Sequence, residues 1–131
     1  YKRQVVWLTP ILPFINDTED NISGILNMCI EARVYGVICF GMGLTLREGN
    51  REYFYEQLDR LFPDLKEKYI HTYGNQYMIE SSNNKNLMRL FHRKCEENGI
   101  VHDNEQIFNY LRFFEEKNDS RQLSIWDWEV R

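Results

Sequence analysis

Apolar positions along this chain follow two rhythms. Residues 4–9 read Gln-Val-Val-Trp-Leu-Thr, a β-branched and aromatic block whose short continuous run predicts a buried strand. It stops at Pro10-Ile11-Leu12-Pro13, because proline lacks the N–H that a strand ladder needs. Asn16-Asp17-Thr18-Glu19-Asp20 then supplies N-cap side chains and carboxylates for a first helical turn. Ile22, Ile25, Leu26, Cys29 and Ile30 recur at helical spacing and predict one buried face. Gly36 is placed to close that helix in a left-handed conformation, and Val37-Ile38-Cys39-Phe40 predicts a second short buried strand.

Strand, helix, glycine and strand together predict a βαβ unit with parallel strands and a right-handed crossover. Two parallel strands fall short of the three or more that make a sheet independently stable. The expectation is therefore a sheet completed by upstream sequence, by a later segment or by a second copy, with self-association through an open edge as one outcome. The chain also begins with Tyr1 close to the strand-like run, which points to a fragment.

The remainder reads as mostly helical. Asn50 is a cap for a helix carrying Tyr53, Phe54, Leu58, Leu61 and Phe62. Pro63-Asp64 opens another, with Leu65, Tyr69, Ile70 and Tyr73 inward and Gly74 closing it. Residues 76–80, Gln-Tyr-Met-Ile-Glu, suit a short strand. A helix from Asn84 carries Leu87, Met88, Phe91 and Cys95 and ends at Gly99. Asp103 and Gln106 form a capping-box pattern before Ile107, Phe108 and Leu111. A polar stretch then leads to a terminal run with Trp126 and Trp128. The fold class is α/β, with a division into 1–49 (the βαβ part), 50–117 (a helical extension) and 118–131 (a tail).

Composition narrows the function classes. An apolar share of 43% in 131 residues is enough for one core. A net charge of −4 argues against a broad nucleic-acid footprint, though not against a local site. Cys29, Cys39 and Cys95 are odd in number and irregular in spacing, so they suit a reducing, cytoplasmic compartment rather than a disulfide framework. No apolar run reaches the roughly 18 residues of a membrane span.

Candidate chemistry is sparse. The Pro10–Asp17 segment lies where a strand's carboxyl end meets a helix start, the edge at which α/β folds bind ligands; from the chemistry alone, a stiff turn with an N-cap is the favoured account. Gly41-Met42-Gly43 is too short for a phosphate loop and reads as a turn or a ligand contact. His92 and Cys95 are three apart on one helix, but no second ligand pair accompanies them, so no metal site is assigned; His71 and His102 read as helix-end or surface residues.

The pattern V-x-x-x-P-I-L-P-x-I-N-D-T-E-x-N-I, starting at Val6, resembles the late strand-to-helix segment of radical S-adenosylmethionine proteins, in particular the spore photoproduct lyase-like group. Leu61-Phe62-Pro63, Asn98-Gly99-Ile100 and Gln122-Leu123-Ser124 extend the resemblance over nearly the whole chain. Where that group commonly has glycine, this chain has Phe14. The resemblance implies the end of a partial (β/α) barrel whose full-length parent carries a 4Fe–4S cluster and S-adenosylmethionine and generates a 5′-deoxyadenosyl radical. It implies cofactor-lining roles for Pro10, Ile11, Leu12, Asn16 and Asp17, and the upstream part of the barrel as partner. Nucleic acid is a substrate for some members. The CxxxCxxC loop that holds the cluster is missing here, so neither catalytic residues nor a bound cofactor are expected in this piece, soft thiolates being what such a cluster requires. The alternative is a non-catalytic interaction module docking a partner through its helices and tail. Gln122-Leu123-Ser124-Ile125-Trp126 resembles the Gln-Leu-Ser/Asp-Leu-Phe peptide that docks on the bacterial sliding clamp, with Gln122, Leu123 and Trp126 as contacts; folding of the tail onto the core is the structural alternative.

Overall fold

The computed structural model describes residues 4–113. Its elements run β1 (Val5–Trp7), α1 (Glu19–Glu31), β2 (Gly36–Ile38), β3 (Gly43–Thr45), α2 (Asn50–Leu61), α3 (Leu65–Tyr73), β4 (Met78–Glu80), α4 (Asn84–Glu97) and α5 (Asn104–Arg112). Helices and small sheets are thus mixed, as an α/β chain requires. No helix among the described residues is long and apolar enough to cross a membrane.

β1 and β2 pair in parallel with Val6 opposite Val37, and Val101 adds a parallel bridge beside Gly36. The strand, helix, strand order of the sequence reading therefore holds, and a later segment contributes to the sheet. Val6 and Val37 join the core formed with Ile22, Leu26 and Cys29 of α1 and Leu87, Phe91 and Cys95 of α4. The i, i+4 spacing of both helices delivers those residues to one face.

Gly36 does not close α1. That helix ends at Glu31, the left-handed residue is Arg33 (φ 52°), and Gly36 opens β2. A Cβ on Gly36 would sit 2.9 Å from both Ile107 Cδ1 and the Val101 carbonyl oxygen, so the glycine serves close packing of α5 on the sheet. The N-cap of α1 is Thr18, whose hydroxyl accepts from the Asn21 N–H at 3.2 Å. Asn50 is the first residue of α2, after Gly49; the Gly49 N–H donates to Glu52 at 2.6 Å.

β3 has no counterpart in the sequence reading. It pairs antiparallel with β4, which falls inside the expected 76–80 segment, and Leu44 faces Ile79 across the pair. Packing thus crosses residue 49 in three places: β3 on β4, α1 on α4, and β2 on α5. A second core collects Leu46, Leu58, Tyr69, Tyr73 and Ile79. Ile70, expected inward, is exposed, as are Tyr53, Leu61, Phe62 and Leu111. Short helices with apolar residues on more than one face leave some of them in water.

Candidate functional site

A groove of about 640 Å³ opens between the two sheets. Thr9 and Pro10 form one side as the chain leaves β1, and Phe40 and Gly41 continue it as the chain leaves β2. Met42, β3, Tyr73, Gln76 and β4 complete the lining. The groove lies beyond the carboxyl ends of the parallel pair, where backbone groups are free of the ladder.

The Gly41–Gly43 segment is held at both ends rather than left as a free turn. The Met42 N–H donates to Asn84 Oδ1 at 2.8 Å, the Met42 carbonyl accepts from the Ser81 N–H at 2.8 Å, and the Met42 side chain is wholly buried. A Cβ on Gly43 would come within 1.9 Å of the Ile79 carbonyl oxygen, so only glycine lets β3 approach β4 there. At the end of β2, the Asn104 side chain accepts from the Cys39 N–H and donates to the Cys39 carbonyl, tying α5 to the groove's rim.

Of the five positions singled out in the sequence, Pro10 lines the groove. It follows a cis Thr9–Pro10 peptide bond. Ile11 is buried in the first core, and its N–H donates to the Gly43 carbonyl at 3.0 Å. The Leu12 N–H donates to Asn16 Oδ1 at 2.6 Å, so Asn16 closes a local turn. Asp17 is only 6% exposed, and its carboxylate accepts from the Ser81 hydroxyl. Ser81 in turn accepts from the Asn83 N–H at 3.1 Å, so Asp17 fastens the start of α1 to the β4–α4 turn. Around the same segment the Tyr69 hydroxyl donates to the Pro13 carbonyl. Burial, then Tyr73, Asp17 and Tyr55, push the Tyr69 phenol well above its ordinary range, which keeps it a hydrogen-bond donor.

Phe14 has φ 65°, the left-handed region that favours glycine. Its ring turns away into the second core, 5.6 Å from the Tyr69 ring, with Lys68 Nζ 4.2 Å from its centroid. At the rim, Trp7, Phe40 and Phe108 form a triangle with centroids 5.8–6.3 Å apart. Phe40 is 68% and Trp7 52% exposed.

All three cysteines are free and buried. Burial, then Cys29 and Cys39, push the Cys95 thiol up to about 12; burial raises Cys29 and Cys39 as well. Thiols in that state are poor metal ligands. Among the described residues no group of three or more His, Cys, Asp and Glu side chains is placed to hold a metal ion. His92 does not pair with Cys95: its Nδ1 lies 2.7 Å from His102 Nδ1, and burial, then His102, hold His92 below its ordinary pKa.

Phe40, Tyr73, Gln76, Met78 and Glu80 are among the groove residues that sequence reasoning left unassigned as site residues. The Gly41-Met42-Gly43 signal came nearest to locating them. Gln122, Leu123 and Trp126 lie outside the described residues. Searches against protein-family models, curated proteins and solved structures give no match to this chain.

Proposed function

We propose that this chain is the C-terminal portion of a radical S-adenosylmethionine protein and forms one wall of its cofactor or substrate pocket, while the cluster-binding thiolates belong to upstream sequence. The observation that carries the reading is the groove at the carboxyl ends of β1 and β2, entered by the Pro10 segment that resembles the family motif. The left-handed backbone of Phe14 supports it, because the resembling motif has glycine at that position. On this reading β1 and β2 are late strands of a partial (β/α) barrel, and the upstream strands add to the two-stranded sheet. When bound in the parent, the cofactor supplies radical chemistry. This chain's own part is to shape the pocket: Pro10 and Phe40 form the near side, β3 and β4 the far side, and Asp17 with Ser81 ties the start of α1 to the β4–α4 turn.

The test compares this chain with a version extended upstream in its own reading frame. Anaerobic reconstitution should load four irons on the extended protein, whose upstream sequence should contain CxxxCxxC, and none on this chain. Phe40→Ala in the extended protein should weaken S-adenosylmethionine or substrate binding by about tenfold without loss of iron. An extended protein with no such motif and no cluster overturns the proposal.

A second reading is a partner-docking module. The triangle of exposed Trp7 and Phe40 with half-buried Phe108 favours it, since exposed aromatic clusters mark interaction surfaces. Pull-down of a partner lost in Trp7→Ala, with no cofactor binding in the extended protein, would favour this second reading.

A further inference from the structure

His92 stands on α4, and His102 sits between the Val101 bridge and the Asp103 cap of α5. Ten positions apart in sequence, their Nδ1 atoms come within 2.7 Å, with ring centroids 4.9 Å apart and planes at 53°. Both backbones are fixed. The Val101 carbonyl accepts from the Val37 N–H at 2.9 Å, the Val101 N–H donates to the Tyr35 carbonyl at 3.0 Å, and Asp103 accepts from the Gln106 N–H at 2.8 Å. On the other side, α4 is anchored by the buried Phe91 and Cys95, and the Phe91 ring lies 5.0 Å from His92 and 6.2 Å from His102.

Two neutral imidazoles facing through Nδ1 share one proton when one of them carries it there. When both carry their proton on Nε2, both Nδ1 lone pairs are free to bind an ion. We propose that His92 and His102 form a chelating site for a late first-row divalent ion, Cu2+ or Ni2+, with solvent filling the other positions. The distance selects the ion. With imidazole–metal bonds of about 2.0 Å, a right-angle bite needs a nitrogen separation of about 2.8 Å and a tetrahedral one about 3.3 Å. The observed 2.7 Å is close to the right-angle bite of square-planar or octahedral ions and well short of the tetrahedral bite of zinc. Affinity for nitrogen ligands also rises from Co2+ through Ni2+ to Cu2+. The pair is open to solvent, so an ion can enter.

The experiment titrates the full, untagged chain with Cu2+ and reads the nitrogen hyperfine pattern by electron paramagnetic resonance, then measures Tm with and without Ni2+. Expected are one equivalent of Cu2+ with two imidazole nitrogens and a higher Tm with Ni2+, because the ion ties together two segments of the folded state. His92→Gln and His102→Gln should each weaken binding by about tenfold or more, since a two-point chelate becomes a single contact. His71→Gln, which alters the remaining histidine on α3, should leave it unchanged. The wild-type spectrum decides even where a variant folds poorly. A single-nitrogen signal, an unshifted Tm at saturating Ni2+, or equal binding by the double variant overturns the proposal.

Discussion

The two cores of this protein are built from different materials. The first, between α1, α4 and the parallel strands, is aliphatic and sulfur-rich with a single buried aromatic, Phe91. The second, under α2, α3 and the antiparallel pair, has five buried residues, two of them tyrosines. It is held by polar pins. Arg51 donates to the carbonyls of Leu46, Gly74, Asn75 and Gln76, and the Tyr73 hydroxyl donates to the Glu80 carbonyl at 2.8 Å. One hydroxyl there, on Tyr55, is buried with no partner among the described residues. Burying apolar area stabilises without demanding geometry, whereas pins fix loops at modest net gain. The first core therefore dominates stability, and the second shapes the groove.

The largest expected effect tests that contrast directly. Phe91→Ala should cost about 3–5 kcal/mol, and Leu58→Ala in the second core should sit at the low end of the leucine range, about 2 kcal/mol. Urea denaturation of both variants checks it, and equal losses would break the distinction. Native-state hydrogen exchange sharpens it, since amides of α2 and α3 should open at lower free energy than those of α1 and α4.

Arg51→Ala comes next, at about 1–2 kcal/mol, because it strips charged donors from several carbonyls of the α3–β4 connection. Arg51→Lys should recover only part of this, lacking the planar fork. A Tm series on the two variants reads the difference, and full rescue by lysine would reduce the pin to simple charge.

The smallest effect belongs to the first core at alkaline pH. Cys95 has a folded pKa raised from 9.0 to about 12, so the stability it contributes is present below 9 and lost as pH rises toward 12. At pH 10 the loss from this thiol is about 1 kcal/mol. Denaturation at pH 8 and pH 10 should show a smaller drop in Cys95→Ala than in the wild type. Identical drops would mean that the thiol is reached by solvent.

Local chemistry made much of the first region legible. Ile22, Leu26 and Cys29, like Leu87, Phe91 and Cys95, lie three or four residues apart, and that spacing alone puts each set on one helical face. Gly74 and Gly99, at φ 56° and 68°, end their helices as expected because left-handed backbone costs glycine little. Asp103 capping Gln106 was readable for the same local reason. β4 was visible as the short strand expected over residues 76–80. What lay beyond the sequence depends on partners far along the chain. β3 has no strand signature of its own and exists because Gly43 lets it press against Ile79. Gly36 looked like a helix terminator until Ile107 was placed beside it, and Asp17 looked like a cap until Ser81 arrived from sixty-four residues away. The groove and the His92–His102 pair belong to this second kind. Periodicity reports which face of an element is apolar, but only the packed chain decides which faces meet, because long-range contacts carry no local signature.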